Sequence, residues 1–186
     1  IEETIQETAK NAGELDVVVR PQRRPDTRVL LIMDVGGSMD PYADAVSQVF
    51  SAAKRATHWK ELRTFYFHNC VYGRVYRTDH FADPIGVHEL LRVTSPKYKL
   101  IFLGDALMAP YELLATSADQ PGNPPTSGLH WLSVLREHFP HSVWLNPEAP
   151  RGWSGNTIEA VRSVFPMFHL TVDGLTEAVQ ELTRRR

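Results

Sequence analysis

The chain has 186 residues, a formal net charge of −2 and 42% hydrophobic residues. This length suits one domain with a sizeable core. The near-neutral charge gives no electrostatic reason to expect binding to nucleic acid or to an anionic membrane. No apolar run approaches the roughly 18 residues that a membrane-spanning helix needs. Cys70 is the single cysteine, so an intrachain disulfide is excluded and a reducing compartment is predicted.

Residues 1–26 are predicted to be a linker or edge segment that precedes the domain. Residues 1–12 are polar and permissive for helix, residues 15–20 fit a short edge strand, and a charged connector with prolines follows. Because the chain begins with Ile1 rather than methionine, we expect it to be a fragment of a longer protein. The domain itself is predicted to span residues 27–186.

Predicted strands and helices then alternate along the chain. Short apolar runs indicate buried strands, and apolar residues at helical spacing after good caps indicate helices. The predicted strands are residues 29–33, 64–67, 71–76, 100–103, 141–145 and 168–172, of which the second and third form a hairpin or one interrupted strand. The predicted helices are residues 41–53, begun by Asp40 and Pro41, and residues 87–91, 111–115, 129–139, 156–164 and 173–183. Residues 117–128, with three prolines and two glycines, are predicted to be a loop. The order indicates the α/β class, with a mostly parallel sheet between two layers of helices.

Two of these strands end in an acid. Asp34 directly follows the first apolar strand, and Asp105 follows residues 100–103 after one glycine. Ligands of open α/β sheets bind beyond the carboxyl ends of the strands, where the winding reverses, so both carboxylates are predicted to converge there. Ser38 follows Asp34 across a glycine turn. Two carboxylates and a hydroxyl suit Mg²⁺, Mn²⁺ or Ca²⁺. The alternative is that these residues cap the helices that follow.

Residues 34–39 (Asp-Val-Gly-Gly-Ser-Met) resemble the metal-ion-dependent adhesion site of the von Willebrand factor A-type (vWA) domain. That family carries Asp-x-Ser-x-Ser, often followed by Met, at the end of its first central strand. Its later acid follows another apolar strand, and residues 103–105 match this. The resemblance implies a Rossmann-like three-layer α/β/α sandwich from about residue 27 to the last helix. Residues 104–113 are similar to the bacterial, intracellular CoxE-like branch of the family.

The resemblance implies that Asp34, Ser38 and Asp105 hold a divalent cation, Mg²⁺ or else Mn²⁺ or Ca²⁺, directly or through water. Gly36 stands where the family has the first serine of the motif and offers no hydroxyl, so the adhesion site is degenerate. The family's usual threonine has two candidates, Thr78 first and Thr94 second, and each is otherwise an ordinary loop residue. With fewer ligands, metal binding is expected to be weak and to depend on a carboxylate from the partner.

The function that the resemblance implies is protein–protein interaction, in which the cation bridges to an acidic residue of the partner. The intracellular bacterial relatives imply a cytoplasmic role beside an AAA+ ATPase in the assembly of a complex. Two alternatives stay open. One is a metal-free scaffold of the same fold, with a vestigial site. The other is a metal-dependent hydrolase that uses the same two acids.

Sequence patterns of other enzymes are missing. Gly36 replaces the second acid of an Asp-x-Asp phosphohydrolase motif, and the chain has no Gly-x-Gly-x-x-Gly, no Walker lysine and no Gly-x-Ser-x-Gly. His68 and Cys70 share one face of a predicted strand, but no acid is present to orient the histidine or activate the thiol. Cys70 is therefore predicted to be packed in the core, and the domain is not expected to be an enzyme.

Overall fold

The architecture is described from a computed structural model, which places residues 27–56, 59–116 and 125–184. The strands of its sheet are β1 (Arg28–Asp34), β2 (Glu61–Phe67), β3 (Arg74–Tyr76), β4 (Pro84–Gly86), β5 (Lys99–Leu103), β6 (Ser142–Asn146) and β7 (Met167–His169). Their order in space is β4-β3-β2-β1-β5-β6-β7. Pairing is parallel from β2 to β7, whereas β3 and β4 pair in the antiparallel sense. The mostly parallel sheet that the sequence predicts is confirmed.

Helices pack on both faces of this sheet. They are α1 (Ala43–Ala56), α2 (Val87–Val93), α3 (Pro110–Leu114), α4 (Gly128–His138), α5 (Asn156–Val164) and α6 (Val172–Thr183). Buried side chains of α2, α3, α4 and α5 belong to one apolar core, and those of α6 belong to the other, against which Val46 of α1 also packs. The result is the predicted three-layer α/β/α sandwich.

Strand β1 is buried on both faces, which explains its continuous apolar sequence. Leu30 and Ile32 face the core on the α4 side, and Val29 and Leu31 face the core on the α6 side. All four side chains are at most 3% exposed. Such a strand lies in the middle of the sheet, so the residue that follows its apolar run is placed at the centre of the carboxyl edge.

Three predicted strands have a bound that differs by three residues from the structure. The strand predicted at 64–67 begins earlier, at Glu61. The predicted strand 71–76 is limited to Arg74–Tyr76, which pairs with β2 in the antiparallel sense, as the hairpin interpretation requires. The sequence analysis missed β4, because a three-residue edge strand that begins with Pro84 shows no alternating pattern. The predicted last strand, 168–172, is wrong at its end, since β7 stops at His169.

Two helices begin differently from the prediction. Asp40 and Pro41 do not begin an α-helix, because they lie in a 3-10 helix, Gly37–Tyr42, that precedes α1. At the other end of the chain, Thr171 is the N-cap of α6, and its hydroxyl accepts a hydrogen bond from the backbone N–H of Gly174 at 3.1 Å. Because this cap starts the helix at Val172, the extended segment before it ends earlier than the apolar residues of that segment indicate.

Candidate functional site

The acidic strand ends converge as the sequence predicts. β1 lies between β2 and β5, so the winding of the chain reverses between β1 and β5. Met33 of β1 is level with Leu103 of β5. Asp34 is consequently beside Gly104, with Asp105 one residue further along. Both aspartates are buried, at 5% and 2% exposure. The sheet therefore holds two acids together at the position where open α/β sheets bind ligands.

Gly104 allows this close approach. A Cβ atom at Gly104 would lie 3.0 Å from the Cβ of Asp34 and 3.3 Å from Cζ2 of Trp144, which is tighter than ordinary contact. The indole N–H of Trp144 donates to the backbone oxygen of Gly104 at 2.7 Å. A larger residue would push the two acidic strand ends apart.

The environment of Asp34 disfavours its ionised form. Burial is the main cause that raises the pKa of Asp34 to about 7, and the nearby charge of Asp105 raises the pKa further. The backbone N–H of Asn69 opposes both effects by donating to Oδ1 of Asp34 at 2.9 Å. The hydrogen bonds from the backbone N–H groups of Asn69 and Val35, together with nearby His68, lower the pKa but do not outweigh burial beside a second acid.

Asp105 is only half satisfied by its surroundings. Its Oδ1 accepts a hydrogen bond from the backbone N–H of Leu107 at 2.8 Å. Its Oδ2 is buried and has no hydrogen-bond partner among the residues that the structure describes. The turn between these residues places Ala106, which is buried, at a φ of 59°, a left-handed conformation that is uncommon for alanine. An unpaired carboxylate oxygen in such a place costs free energy unless a ligand satisfies it.

The glycine loop after Asp34 brings Ser38 to the same edge. Gly36 and Gly37 have φ values of 84° and 57°, a left-handed backbone that glycine adopts without steric cost. Met39, which is buried, anchors the loop, and its backbone N–H donates to the oxygen of Gly36 at 3.1 Å. Ser38 lies between these residues with its side chain exposed.

The two threonine candidates are not placed equally. Thr78 accepts a hydrogen bond from the N–H of Ala82 at 2.9 Å and donates to the oxygen of Ala82 at 3.3 Å, so its hydroxyl stabilises its own loop. Thr94 is buried before β5 begins, whereas Asp105 lies after β5 ends. Thr94 is thus at the opposite edge of the sheet and is not brought together with the acids.

Residues that the sequence analysis did not select complete the site on the β2 side. Asn69, at a φ of 56°, bonds Asp34 through its backbone and donates from Nδ2 to Oε1 of Glu112 at 3.3 Å. Tyr72 donates to the same oxygen at 2.9 Å, and the N–H of Ala109 donates to Oε2 at 2.9 Å. Burial raises the pKa of Glu112, but these three hydrogen bonds outweigh it, and the net pKa is lowered.

A second polar group lies on the β6 side. Asn146 ends β6, is fully buried, and donates from Nδ2 to the backbone oxygen of Asp105 at 2.8 Å. The N–H of Glu148 donates to Oδ1 of Asn146 at 2.8 Å, and the carboxylate of Glu148 accepts a hydrogen bond from Tyr42. The signal for Asn146 was available in the sequence, since it too is a polar residue directly after an apolar strand.

Cys70 is packed, as predicted, and takes no part in the site. It is 4% exposed, and burial, with the charge of Glu112, raises the pKa of its thiol to about 12. A Cβ atom at Gly128 would lie 2.1 Å from its sulfur, so the thiol fills the space that the first residue of α4 leaves. Such a thiol is not a nucleophile at neutral pH.

Among the described residues, no group of three or more His, Cys, Asp or Glu side chains is arranged to hold a metal ion. A metal at this edge would accordingly rest on the two aspartates, with hydroxyl, backbone or water oxygens as its other ligands. The donor set is entirely oxygen, which suits Mg²⁺, Mn²⁺ or Ca²⁺ and not zinc. The buried, unpaired Oδ2 of Asp105 fits such an ion.

The fold and the acidic pair at its switch point define a von Willebrand factor A-type domain. The family model described as VWA domain containing CoxE-like protein matches residues 1–99, and the chain belongs to this family. The matched residues include Asp34, Gly36, Ser38 and Thr78 but end before Asp105, so Asp105 is placed in the site by the structure. No curated protein and no solved structure matches the chain.

The helices of the described ranges have at most 14 residues. None of them is long and apolar enough to cross a membrane.

Proposed function

We propose that this vWA domain binds a protein partner through a divalent cation held at the carboxyl edge of the sheet. Asp34 and Asp105 bind the ion directly or through water. When bound, the cation supplies positive charge to the acidic pair and an open coordination position for a carboxylate of the partner. The two aspartates hold that position at the centre of the edge, where a partner has access to it.

The observation that carries this proposal is the uncompensated acidic pair. Burial and Asp105 raise the pKa of Asp34 to about 7, and Oδ2 of Asp105 is buried without a hydrogen-bond partner in the described part of the chain. Buried carboxylates are normally paired, hydrogen-bonded or bound to metal. A hard cation satisfies both acids at once.

The other motif residues have smaller roles in the proposed site. Ser38 is exposed on the loop and adds its hydroxyl, directly or through water. Gly36 adds no side-chain ligand, so a water or a backbone oxygen takes that position. Thr78 contributes only if its hydrogen bonds to Ala82 are given up. We therefore expect weak affinity for the metal alone and stronger binding when the partner's carboxylate completes the shell.

The wider setting of the domain is part of the same proposal. Membership of the CoxE-like family and the single cysteine support a cytoplasmic role, with an AAA+ ATPase as the partner or as a member of the assembled complex. We propose binding rather than catalysis as the role of the site, because the nearby thiol of Cys70 is buried with a pKa of about 12.

Isothermal titration calorimetry with Mg²⁺ and with Mn²⁺ tests the metal. We expect heat of binding for the wild-type chain and none for Asp34→Ala or Asp105→Asn, with the circular dichroism spectrum unchanged. The matched control is Glu137→Gln, which removes an exposed acid near the end of α4, at the opposite edge of the sheet. An absence of heat for the wild-type chain at high metal concentration would contradict the proposal.

A metal-free scaffold is the second candidate, and one observation favours it. With a pKa of about 7, Asp34 holds a proton about half of the time at neutral pH. A protonated Asp34 carries no charge that a cation has to offset, so the site would not require an ion. In that case the wild-type chain gives no heat with either metal, and Asp34→Asn binds the partner as well as the wild type does.

A further inference from the structure

Exposed apolar side chains surround the acidic pair. They are Tyr72, Phe81, Leu107 and Tyr111, which we name the apolar rim. Their exposed fractions are 42%, 39%, 51% and 72%. Large apolar side chains with this much exposure are favoured at protein interfaces, aromatic ones above all.

The contacts of the described residues tie this rim to the acids on the β5 side. Leu107 donates its backbone N–H to Oδ1 of Asp105 at 2.8 Å. The exposed side chain of Leu107 therefore extends from a backbone that contacts the carboxylate. Tyr111 precedes Glu112, which bonds Asn69, which in turn bonds Asp34. Leu107 is thus bonded to Asp105 through its backbone, and Tyr111 lies on the same short helix as Glu112, whose carboxylate is linked to Asp34 through Asn69.

The β2 side is connected in the same way. Tyr72 donates its hydroxyl to Glu112 at 2.9 Å and leaves its ring exposed. Phe81 packs against His68 with ring centroids 5.8 Å apart, and Nδ1 of His68 donates to the oxygen of Val35 at 3.0 Å. The backbone of Phe81 has a φ of 60°, a left-handed conformation that a bulky residue rarely adopts. The loop thus keeps an aromatic ring in place near the residue that follows Asp34.

We propose that the apolar rim recognises the side chains two positions before and after the partner's acidic residue. The site then takes a protein segment in which Asp or Glu is flanked by bulky apolar side chains. This inference rests on the proposed function, because the cation requires the carboxylate. The rim adds the flanking preference. In an extended segment, the side chains two positions before and after the bound carboxylate point to the same face as the carboxylate, roughly 7 Å from it, and would cover the rim. Glu112 has its carboxylate oxygens occupied by Ala109, Tyr72 and Asn69, so it does not select a basic flank.

The test uses displayed seven-residue peptides with a fixed central aspartate and random flanks, selected on the full chain in Mg²⁺ and in EDTA. We expect Leu, Ile, Met, Phe and Trp to be enriched two positions before or after the aspartate in Mg²⁺ only. The selected peptides should bind a Leu107→Ser, Tyr111→Ser double variant roughly tenfold more weakly, because each lost apolar contact removes a substantial part of the affinity. Val93→Ser, an exposed apolar side chain on α2, is the control and should bind as the wild type does.

Calorimetry with Mg²⁺ alone separates the two proposals. The double variant should bind Mg²⁺ as the wild type does, since neither side chain holds the ion. If Mg²⁺ binds but polar or basic flanks are selected, or if no flank is preferred, the rim has no such role and only this inference is overturned. Equal binding of selected peptides by the wild type and the double variant overturns it as well. If Mg²⁺ does not bind the wild type, the proposed function and this inference are both overturned.

Discussion

The two edges of the sheet differ in how their charged groups are buried and paired. At the carboxyl edge, Asp34 and Asp105 are buried with the same charge, and one carboxylate oxygen has no partner in the described residues. At the amino edge, the charged side chains of the described residues are exposed, paired or, at Lys99, only partly buried. Arg92 of α2 bonds Glu89 at 2.8 Å with side chains 73% and 48% exposed. Arg136 of α4 donates to the oxygen of Pro140 at 2.6 Å.

The difference supports the carboxyl edge as the ligand site that we propose. Thr94, near the amino edge, also has a buried hydroxyl without a partner among the described residues, but that group is neutral. Burying an unpaired neutral hydroxyl costs about 1–3 kcal/mol, and burying an unpaired charge costs more. The carboxyl edge therefore carries a free-energy cost that a bound cation would remove. Among the described residues, no charged side chain at the amino edge is buried to that degree.

The largest expected effect is that of Asp34→Asn on stability without metal. The folded-state pKa of Asp34 is raised from 3.8 to about 7. The protonated form of Asp34 stabilises the fold, and this stabilisation is fully present below about pH 4. It is lost as the pH rises to about 7, because the unfolded state releases the proton at a lower pH than the folded state does. The loss is at most about 4 kcal/mol. D34N should remove this dependence and be more stable than the wild type above pH 7 in EDTA, as measured by urea unfolding.

The control for this prediction is Asp79→Asn, which changes an exposed acid. Its unfolding free energy should follow the wild-type pH profile. A D34N variant that is less stable than the wild type at pH 8 in EDTA would show that burial beside Asp105 does not destabilise the ionised form of Asp34. The contrast between the two edges would then be wrong.

The next effect is that of Gly104→Ala. The new methyl group would lie 3.0 Å from the Cβ of Asp34 and 3.3 Å from Trp144. Overpacking of this kind costs roughly 1–3 kcal/mol, and it should also weaken metal binding by separating the acids. Thermal unfolding and calorimetry measure the two effects. Gly86→Ala is the matched control, because the nearest atom to its Cβ is 3.9 Å away. Equal stability of the two variants would contradict this account.

Metal affinity should depend on pH. The ion needs Asp34 ionised, so each binding event below pH 7 displaces one proton. Calorimetric titrations with Mg²⁺ should give an affinity that rises about tenfold per pH unit up to about pH 7 and then levels off. Between about pH 5 and about pH 7, Asp34 without metal is mostly protonated. An affinity that does not change over this range would mean that Asp34 does not hold the ion.

The smallest effect is expected at the amino edge. Arg92→Ala removes an exposed ion pair with Glu89 on α2. Such pairs contribute about 0.5 kcal/mol or less on a helix surface, so chemical denaturation should barely change. Metal binding should stay the same. A loss above about 2 kcal/mol would show that this edge carries an electrostatic role that its exposure does not indicate.

The sequence predicted the elements that local patterns define. The buried run before Asp34 and the run before Asp105 show that both strands are central, because both of their faces are apolar. Strand β4 and the end of β7 were missed, since three-residue strands carry no period to detect. The 3-10 helix before α1 was missed because Asp40 and Pro41 favour either kind of helix start.

The candidate site was predicted in part, for a similar reason. Asp34, Ser38 and Asp105 follow strands or form a motif, so they are visible along the chain. Asn69 and Glu112 are not, because their roles come from hydrogen bonds to residues 35 and 43 positions away in sequence. Only packing decides which loops meet across the end of a sheet.

The sequence by itself determined the fold class, the family and the two acids at the central strand ends, since periodicity and short motifs are local. The tertiary structure alone decided that the acids are close and buried enough to raise the pKa of Asp34, that the hydroxyl of Thr78 is used by Ala82, and that apolar side chains surround the site. These properties depend on desolvation and on distances between segments far apart in the chain. Such quantities exist only once the chain has folded.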